Sequence, residues 1–207
     1  MSTSRARITL AGTGIAVALL IAGCSSDSGS SGSGAATPMA DMPGMSHSTA
    51  SSTAPTRTDF DAADVTFLQM MYPHHAQAVE MAEMVPSRSQ NQQLIALASK
   101  IRAAQAPEMT KFADLLRSFG KPAPSTTMDH PMDGVMSQDQ MTALQKASGA
   151  DFDKMWLQMM IEHHKGAVTM SDAELANGSN AEVKALAQGI ITAQQAEITQ
   201  MQGMLKS

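Results

Sequence analysis

A string of eight residues occurs twice in this chain, and its two copies are separated by 89 positions, as His74 and His163 show. The first copy is Leu68-Gln69-Met70-Met71-Tyr72-Pro73-His74-His75, and the second is Leu157-Gln158-Met159-Met160-Ile161-Glu162-His163-His164. An internal repeat of this kind indicates that one structural unit has been duplicated. The repeat therefore restricts the fold to architectures that two similar halves can build together.

The same offset aligns further residues on both sides of the string without a gap. The matching pairs are Asp64 with Asp153, Ala78-Val79 with Ala167-Val168, Met81 with Met170, Asn91 with Asn180, Leu97-Ala98 with Leu186-Ala187, and Ile101 with Ile190. The two units are predicted to run from about residue 60 to 119 and from about residue 149 to 205.

Each unit has the residue spacing of two long helices. Its apolar residues recur at alternating steps of four and three, which is typical of one helix face buried in a bundle. In the first unit this face comprises Phe67, Met71, His74, Ala78, Met81 and Val85, then Leu94, Ala98, Ile101, Gln105, Glu108, Phe112, Leu115 and Phe119. We therefore predict an all-α fold: a four-helix bundle of two duplicated hairpins around a pseudo-two-fold axis, with a short connector helix between them.

Local sequence signals predict where these helices begin and end. Gly120 followed by Pro122 predicts the end of the second long helix, and Asn177-Gly178 predicts the end of the third. Three motifs resemble capping boxes and predict helix starts: Ser87-x-x-Gln90, Ser137-x-x-Gln140 and Ser179-x-x-Glu182.

Polar side chains interrupt the apolar faces at equivalent positions in the two units. An unpaired neutral polar group in a protein core costs roughly 2–7 kcal/mol, so these residues need partners or ligands. The polar residues on the faces are His74, Gln105 and Glu108 in the first unit, and His163, Gln194 and Glu197 in the second. We predict that the glutamates and glutamines support the histidines from the neighbouring helices.

Methionines flank both of these histidines along the same helix face. They are Met71 and Met81 in the first unit and Met160 and Met170 in the second. His75 and His164 are predicted at the edge of the face, because one residue turns the helix by about 100°. Repetition of the whole set favours a metal site, although methionine core filler and a histidine hydrogen-bonded to glutamate are the ordinary alternative.

Methionines also occur where core packing does not require them. Met39, Met42 and Met45 recur at every third residue and are followed by His47. The connector between the units contains the segment Met128-Asp129-His130-Pro131-Met132 and Met136. Thioether sulfur is a soft ligand suited to Cu(I), and imidazole binds copper in both oxidation states. We therefore predict copper as the bound metal, with Cu(I) favoured and first captured by the tail residues.

The N-terminal residues predict export. Residues 1–23 have a basic start and an apolar stretch too short for a membrane span, as in a signal peptide. Ile21-Ala22-Gly23-Cys24 resembles a bacterial lipobox, in which Cys24 would be lipidated; a plain secretory signal is the alternative. Residues 24–57 are predicted to be a disordered tether before a domain at 58–207. A single cysteine excludes an intramolecular disulfide, and a net charge of −5 gives no support for nucleic-acid binding.

The pattern Phe67-x-x-Met70-Met71-x-x-His74-His75-x-x-Ala78-x-x-Met81, with its counterpart from Trp156 to Met170, resembles the domain-of-unknown-function 305 family. The resemblance covers about residues 59 to 205 and implies a ferritin-like fold. Family members include exported bacterial copper-binding proteins implicated in copper tolerance. The resemblance implies that His74, His75, His163, His164 and the adjacent methionines are the candidate ligands.

The sequence thus predicts a copper buffer or chaperone tethered to the outer face of a bacterial membrane, without a catalytic step. One alternative is a metal-free structural or interaction module that binds a protein partner or a second copy of itself. The other is a ferritin-like di-iron oxidase, whose usual Glu-x-x-His motif does not occur in this chain.

Overall fold

The computed structural model describes residues 57–127 and 132–206 and contains five helices within them. They are α1 (Ala62–Arg88), α2 (Gln92–Ser118), α3 (Gln138–Lys146), α4 (Gly149–Asn177) and α5 (Ala181–Met204). Neither of the two described ranges contains a strand. The predicted all-α fold is confirmed, since four long helices form two hairpins and the short α3 stands between them.

Several sequence predictions concern residues outside the described ranges. These are the signal peptide at 1–23, the lipidation site Cys24, nearly all of the tether, the tail residues Met39, Met42, Met45 and His47, and connector residues 128–131. They stay predictions. Among the helices that the structure describes, none combines the length and hydropathy needed to cross a membrane.

The two hairpins join through α1 and α4, which run antiparallel. Within the hairpins α1 packs against α2 and α4 against α5, while α3 lies against α4. Across the α1/α4 interface the His74 ring contacts the His163 ring, and the indole nitrogen of Trp156 donates a hydrogen bond of 2.9 Å to the carbonyl oxygen of Met81. Equivalent residues of two copies meet each other only at a two-fold axis. The predicted pseudo-two-fold axis therefore passes between His74 and His163.

The hydrophobic core consists of two clusters of buried side chains. One contains Met81, Trp156 and Met160, and the other contains Met71 and Phe112. Each cluster combines residues of both repeat units, so neither unit completes its core alone. This burial of the α1 and α4 faces against each other explains why two copies are needed for one bundle.

The helix starts differ in part from the prediction. Ser137 forms the predicted capping box at the start of α3. The boxes predicted at Ser87 and Ser179 are wrong, because Ser87 still lies inside α1, and Asn91 and Asn180 cap α2 and α5. Each asparagine oxygen accepts hydrogen bonds from the two free amides that follow it, which satisfies the helix start with one side chain. The predicted ends of α2 and α4 are confirmed.

Two carboxyl groups lie where the start of α1 contacts the turn between α4 and α5. Asp64 is fully buried and accepts hydrogen bonds from the backbone of Asp61, Ser179 and Asn180. Glu174 lies beside it, and burial, followed by the neighbouring Asp64 carboxylate, raises the pKa of Glu174 to about 8. Glu174 therefore keeps its proton at neutral pH, while Asp64, whose pKa is lowered by these backbone hydrogen bonds, is ionised.

The stability of the bundle is expected to decrease as the pH rises from about 4.5 to about 8 through the contribution of Glu174. In this window the folded protein holds a proton that the unfolded chain has lost, so raising the pH favours unfolding. Glu174→Gln should remove this contribution and raise the free energy of unfolding at pH 8 by on the order of 1–2 kcal/mol, allowing for solvent screening.

Urea unfolding of the wild type and the variant across this pH window measures the difference between them. Comparing the two isolates Glu174 from the histidines. Glu162→Gln, at an exposed position of α4, is the matched control and should leave the pH dependence unchanged. Parallel pH profiles for wild type and Glu174→Gln would contradict the prediction.

Candidate metal centre

Two histidine rings from the two repeat units lie in contact at the centre of the bundle. The centroids of the His74 and His163 rings are 3.8 Å apart, with an angle of 42° between the ring planes. Both side chains are fully buried, and none of their four ring nitrogens has a hydrogen-bond partner. Such unpaired polar atoms are rare in native cores and call for an explanation.

Both rings are neutral at physiological pH. Burial, and after it the neighbouring His75, lower the pKa of His74 to about 3. The pKa of His163 is also well below its ordinary value, first because of burial and then because of His74. A neutral imidazole has one unprotonated nitrogen that can bind a metal ion. The pair therefore presents two such nitrogens to the core without any competing proton.

The adjacent histidines have carboxylate partners from the second helix of each hairpin. His75 Nε2 donates to Glu108 Oε2 over 2.8 Å, and His164 Nε2 donates to Glu197 Oε2 over 2.9 Å. The carboxylate holds a proton on Nε2, and burial lowers the pKa of His75, so that its Nδ1 is unprotonated. In both histidines Nδ1 is buried without a partner. Metal-binding histidines commonly have a carboxylate on the opposite nitrogen in this way.

The four histidines belong to three interfaces: His74 and His163 lie between α1 and α4, His75 between α1 and α2, and His164 between α4 and α5. His74 faces α4, whereas His75 lies about 100° further round α1 and faces α2. The His75 ring makes an edge contact with the Phe112 ring, with 5.2 Å between the centroids. The prediction of His75 and His164 as edge residues is wrong in one respect, since both are fully buried. The reason is that α1 and α4 pack against each other and each also packs against a second long helix. The apolar spacing in the sequence indicated only one buried face for each helix.

The flanking methionines separate into two groups across the α1/α4 interface. Met71 belongs to the core cluster against which Met170 packs, and Met160 belongs to the cluster that contains Met81. Each group thus combines one thioether from each repeat unit. Met71, Met81 and Met160 are fully buried, but Met170 is half-buried and lines a groove between α1 and α4 together with Met70.

Two buried glutamines complete the polar residues of the centre. Gln105 and Gln194 precede Glu108 and Glu197 by nearly one helical turn. The side-chain nitrogen and oxygen of Gln105 have no hydrogen-bond partner, and the side-chain oxygen of Gln194 has none either. In the two described ranges, no three His, Cys, Asp or Glu side chains are arranged to hold one metal ion. The available donors are therefore imidazole nitrogens in pairs, with thioethers in the clusters on both sides.

Sequence reasoning missed the part of the connector that crosses these histidines. Asp133 and Gly134 lie against the backbone of α4 near Gly166, and Met136 is hydrogen-bonded to Gln77 of α1. One signal was present in the sequence. Gln77 and Gly166 occupy equivalent positions of the repeat. The first unit therefore has a long polar side chain where the second unit has a glycine, which has no side chain.

The DUF305 family model, described as a domain of unknown function, matches residues 64–205, so the chain belongs to the DUF305 family. A DUF305 protein from Streptomyces coelicolor that is predicted to be secreted has a similar structure, with 29% identity over 70% of this chain and 92% of that chain and a TM-score of 0.65. A DUF305 fragment from Deinococcus radiodurans is 31% identical over 70% of this chain and 97% of that chain, with a TM-score of 0.65.

Solved structures of CopM are also similar to this bundle. The Cu(I)-bound form is 32% identical over 69% of this chain and 95% of that chain, with a TM-score of 0.58. The Cu(II)-bound form has the same identity and coverage and a TM-score of 0.62, and CopM has also been crystallised with silver. No curated protein matches the chain. The structural neighbours of this chain thus include a protein that binds copper.

Proposed function

We propose that this protein is a membrane-tethered, extracytoplasmic copper-binding protein that buffers or carries Cu(I), with copper tolerance as its role. The observation that supports this most directly is the His74–His163 pair. Two neutral imidazoles are in contact in the core, and all four of their nitrogens lack partners. A metal ion bound between such rings would satisfy atoms that otherwise destabilise the fold.

The surrounding residues favour Cu(I) over other metal ions. Imidazole and thioether are its suitable ligands, and neither carries a charge that must be balanced. His75 and His164 add two buried Nδ1 atoms without partners, and Glu108 and Glu197 fix the orientation of the two rings. Both carboxylates bind histidine, so a carboxylate-bridged di-iron centre would have to break these hydrogen bonds. CopM, which binds Cu(I) and Cu(II), has a similar fold.

The cellular location in this proposal has separate support. The lipobox-like sequence ending at Cys24 would anchor the protein to the membrane, and the relative from Streptomyces coelicolor is predicted to be secreted. Outside the cytoplasm a thioether is a practical ligand, because unlike a thiol it forms no disulfide. Met39, Met42, Met45 and His47 would capture copper and transfer it to the bundle without a catalytic step.

Competition titration with a Cu(I) chelator tests the bundle site in the mature protein. Replacing His74, His75, His163 and His164 by alanine is expected to remove the copper equivalents bound in the bundle and leave those of the methionine-rich segments. The matched control is Met201→Leu, a buried methionine of α5 in the same core, which should keep the wild-type stoichiometry. Unchanged stoichiometry and affinity in the four-histidine variant would disprove the bundle site.

A further inference from the structure

Five residues of the connector, Met132 to Met136, cross from α4 to α1 next to the His74–His163 pair, and they are named the strap below. The strap contacts α4 at Gly166 and α1 at Gln77, each of which lies three residues after one histidine of the pair. The strap therefore covers the histidines on one face of the α1/α4 interface. On the other face, Glu108 and Glu197 of α2 and α5 contact the neighbouring histidines.

On α4 the strap packs backbone against backbone. A Cβ atom on Gly166 would overlap the carbonyl oxygen of Asp133 and lie 2.9 Å from the Cα atom of Gly134. Gly134 itself has a φ of 78°, and a Cβ atom there would lie 2.6 Å from the carbonyl oxygen of Glu162. Both positions therefore require glycine for the strap to reach α4.

On α1 the strap is held by one side chain. Gln77 Oε1 accepts a hydrogen bond of 2.7 Å from the Met136 amide, and Gln77 Nε2 donates one of 2.9 Å to the Met136 carbonyl oxygen. Both residues are buried. The carboxamide thus satisfies both backbone groups of Met136, as a neighbouring strand would.

The two attachment points are equivalent positions of the repeat, three residues after His74 and His163. A single segment that lies across a pseudo-two-fold axis meets the same position of both units but cannot present the same atoms to both. The sequence differs at this position accordingly: Gln77 reaches out to the strap, and Gly166 leaves room for it. This difference has no role in packing α1 against α4.

We propose that the strap is the gate of the His74–His163 site, and that Gln77 and Gly166 are positioning residues that hold it closed. The inference rests on the proposed copper function. All four histidines are fully buried, so part of the protein has to move before a metal ion can reach them. Two hydrogen bonds, the backbone contact between Gly134 and Gly166, and the buried Met136 side chain hold the strap. Opening α2 or α5 would instead expose the buried face of a whole helix of the hydrophobic core. The strap is therefore the element that opens at the lowest free energy.

The test uses the full chain with the variants Gln77→Ala and Gly166→Ala. The matched controls are Gln69→Ala, at an exposed position of α1, and Gly189→Ala, where an added Cβ atom meets nothing within 4 Å. Three rates are measured: hydrogen exchange of the Met136 amide, modification of His74 and His163 by diethylpyrocarbonate in metal-free protein, and Cu(I) release to a chelator. Each is expected to rise about tenfold in the two variants and to stay at the wild-type value in the controls.

Faster exchange at Met136 with unchanged modification of His74 and His163 would overturn the proposal, because the strap would then open without exposing the site. Unchanged rates in both variants would overturn it as well. Gln77→Ala keeps the test decisive if Gly166→Ala does not fold. A wild-type bundle that binds no copper would disprove the proposed function separately, while histidine modification would still show whether the strap covers the pair.

Discussion

Replacing His74 and His163 together by leucine is expected to abolish copper binding in the bundle while leaving the metal-free protein as stable as the wild type, or more stable. Four ring nitrogens are buried without partners, and leucine of similar volume removes them without leaving a cavity. Replacing unsatisfied polar groups by apolar groups of the same shape is near neutral or stabilising. The histidine pair is thus maintained at the expense of stability, as expected of a binding site.

Chelator competition gives the copper affinity of this variant, and urea unfolding of the metal-free protein gives its stability. The neighbouring pair supplies the contrasting control. Leucine at His75 and His164 would leave the carboxylates of Glu108 and Glu197 without their hydrogen bonds, and Glu197 is nearly fully buried. That variant should lose about 1–3 kcal/mol of stability. A loss of this size in the His74/His163 variant instead would support the metal-free structural module.

The fold could be predicted from the sequence because the repeat and the apolar spacing agree. Two units with helical periodicity and no strand pattern allow few arrangements other than paired hairpins. The pseudo-two-fold axis was predicted without a position, and the structure places it between His74 and His163. These features depend on local sequence and on burial, which a single chain displays directly.

The partners of the polar residues could not be predicted in the same way. Helical spacing placed His74 and Glu108 on seams, but the structure pairs Glu108 with His75. A seam describes one helix face, whereas each central helix of a bundle has two buried faces. The strap was missed for a different reason: its contacts join residues far apart in sequence, and only the mismatch between Gln77 and Gly166 indicated them.

Asp64→Ala is expected to destabilise the protein by about 3 kcal/mol, and Asp153→Ala at the equivalent position should change stability by less than about 0.5 kcal/mol. Asp64 is fully buried and accepts hydrogen bonds from the amides of Ser179 and Asn180 at the start of α5. Alanine would leave the amide of the buried Asn180 unpaired. Asp153 is partly exposed, and one of its carboxylate oxygens is buried without a partner, so its removal breaks no such bond.

The reason for this asymmetry lies two residues before the helix caps Asn91 and Asn180. In the first unit the Asn91 amide donates its hydrogen bond to the hydroxyl oxygen of Ser89. Gly178 stands at the equivalent position of the second unit, where a Cβ atom would overlap the Glu174 carboxyl group. Without a local hydroxyl, the second unit takes its acceptor from Asp64 of the other hairpin. Urea unfolding at neutral pH compares the two alanine variants, and equal losses would refute this division of roles.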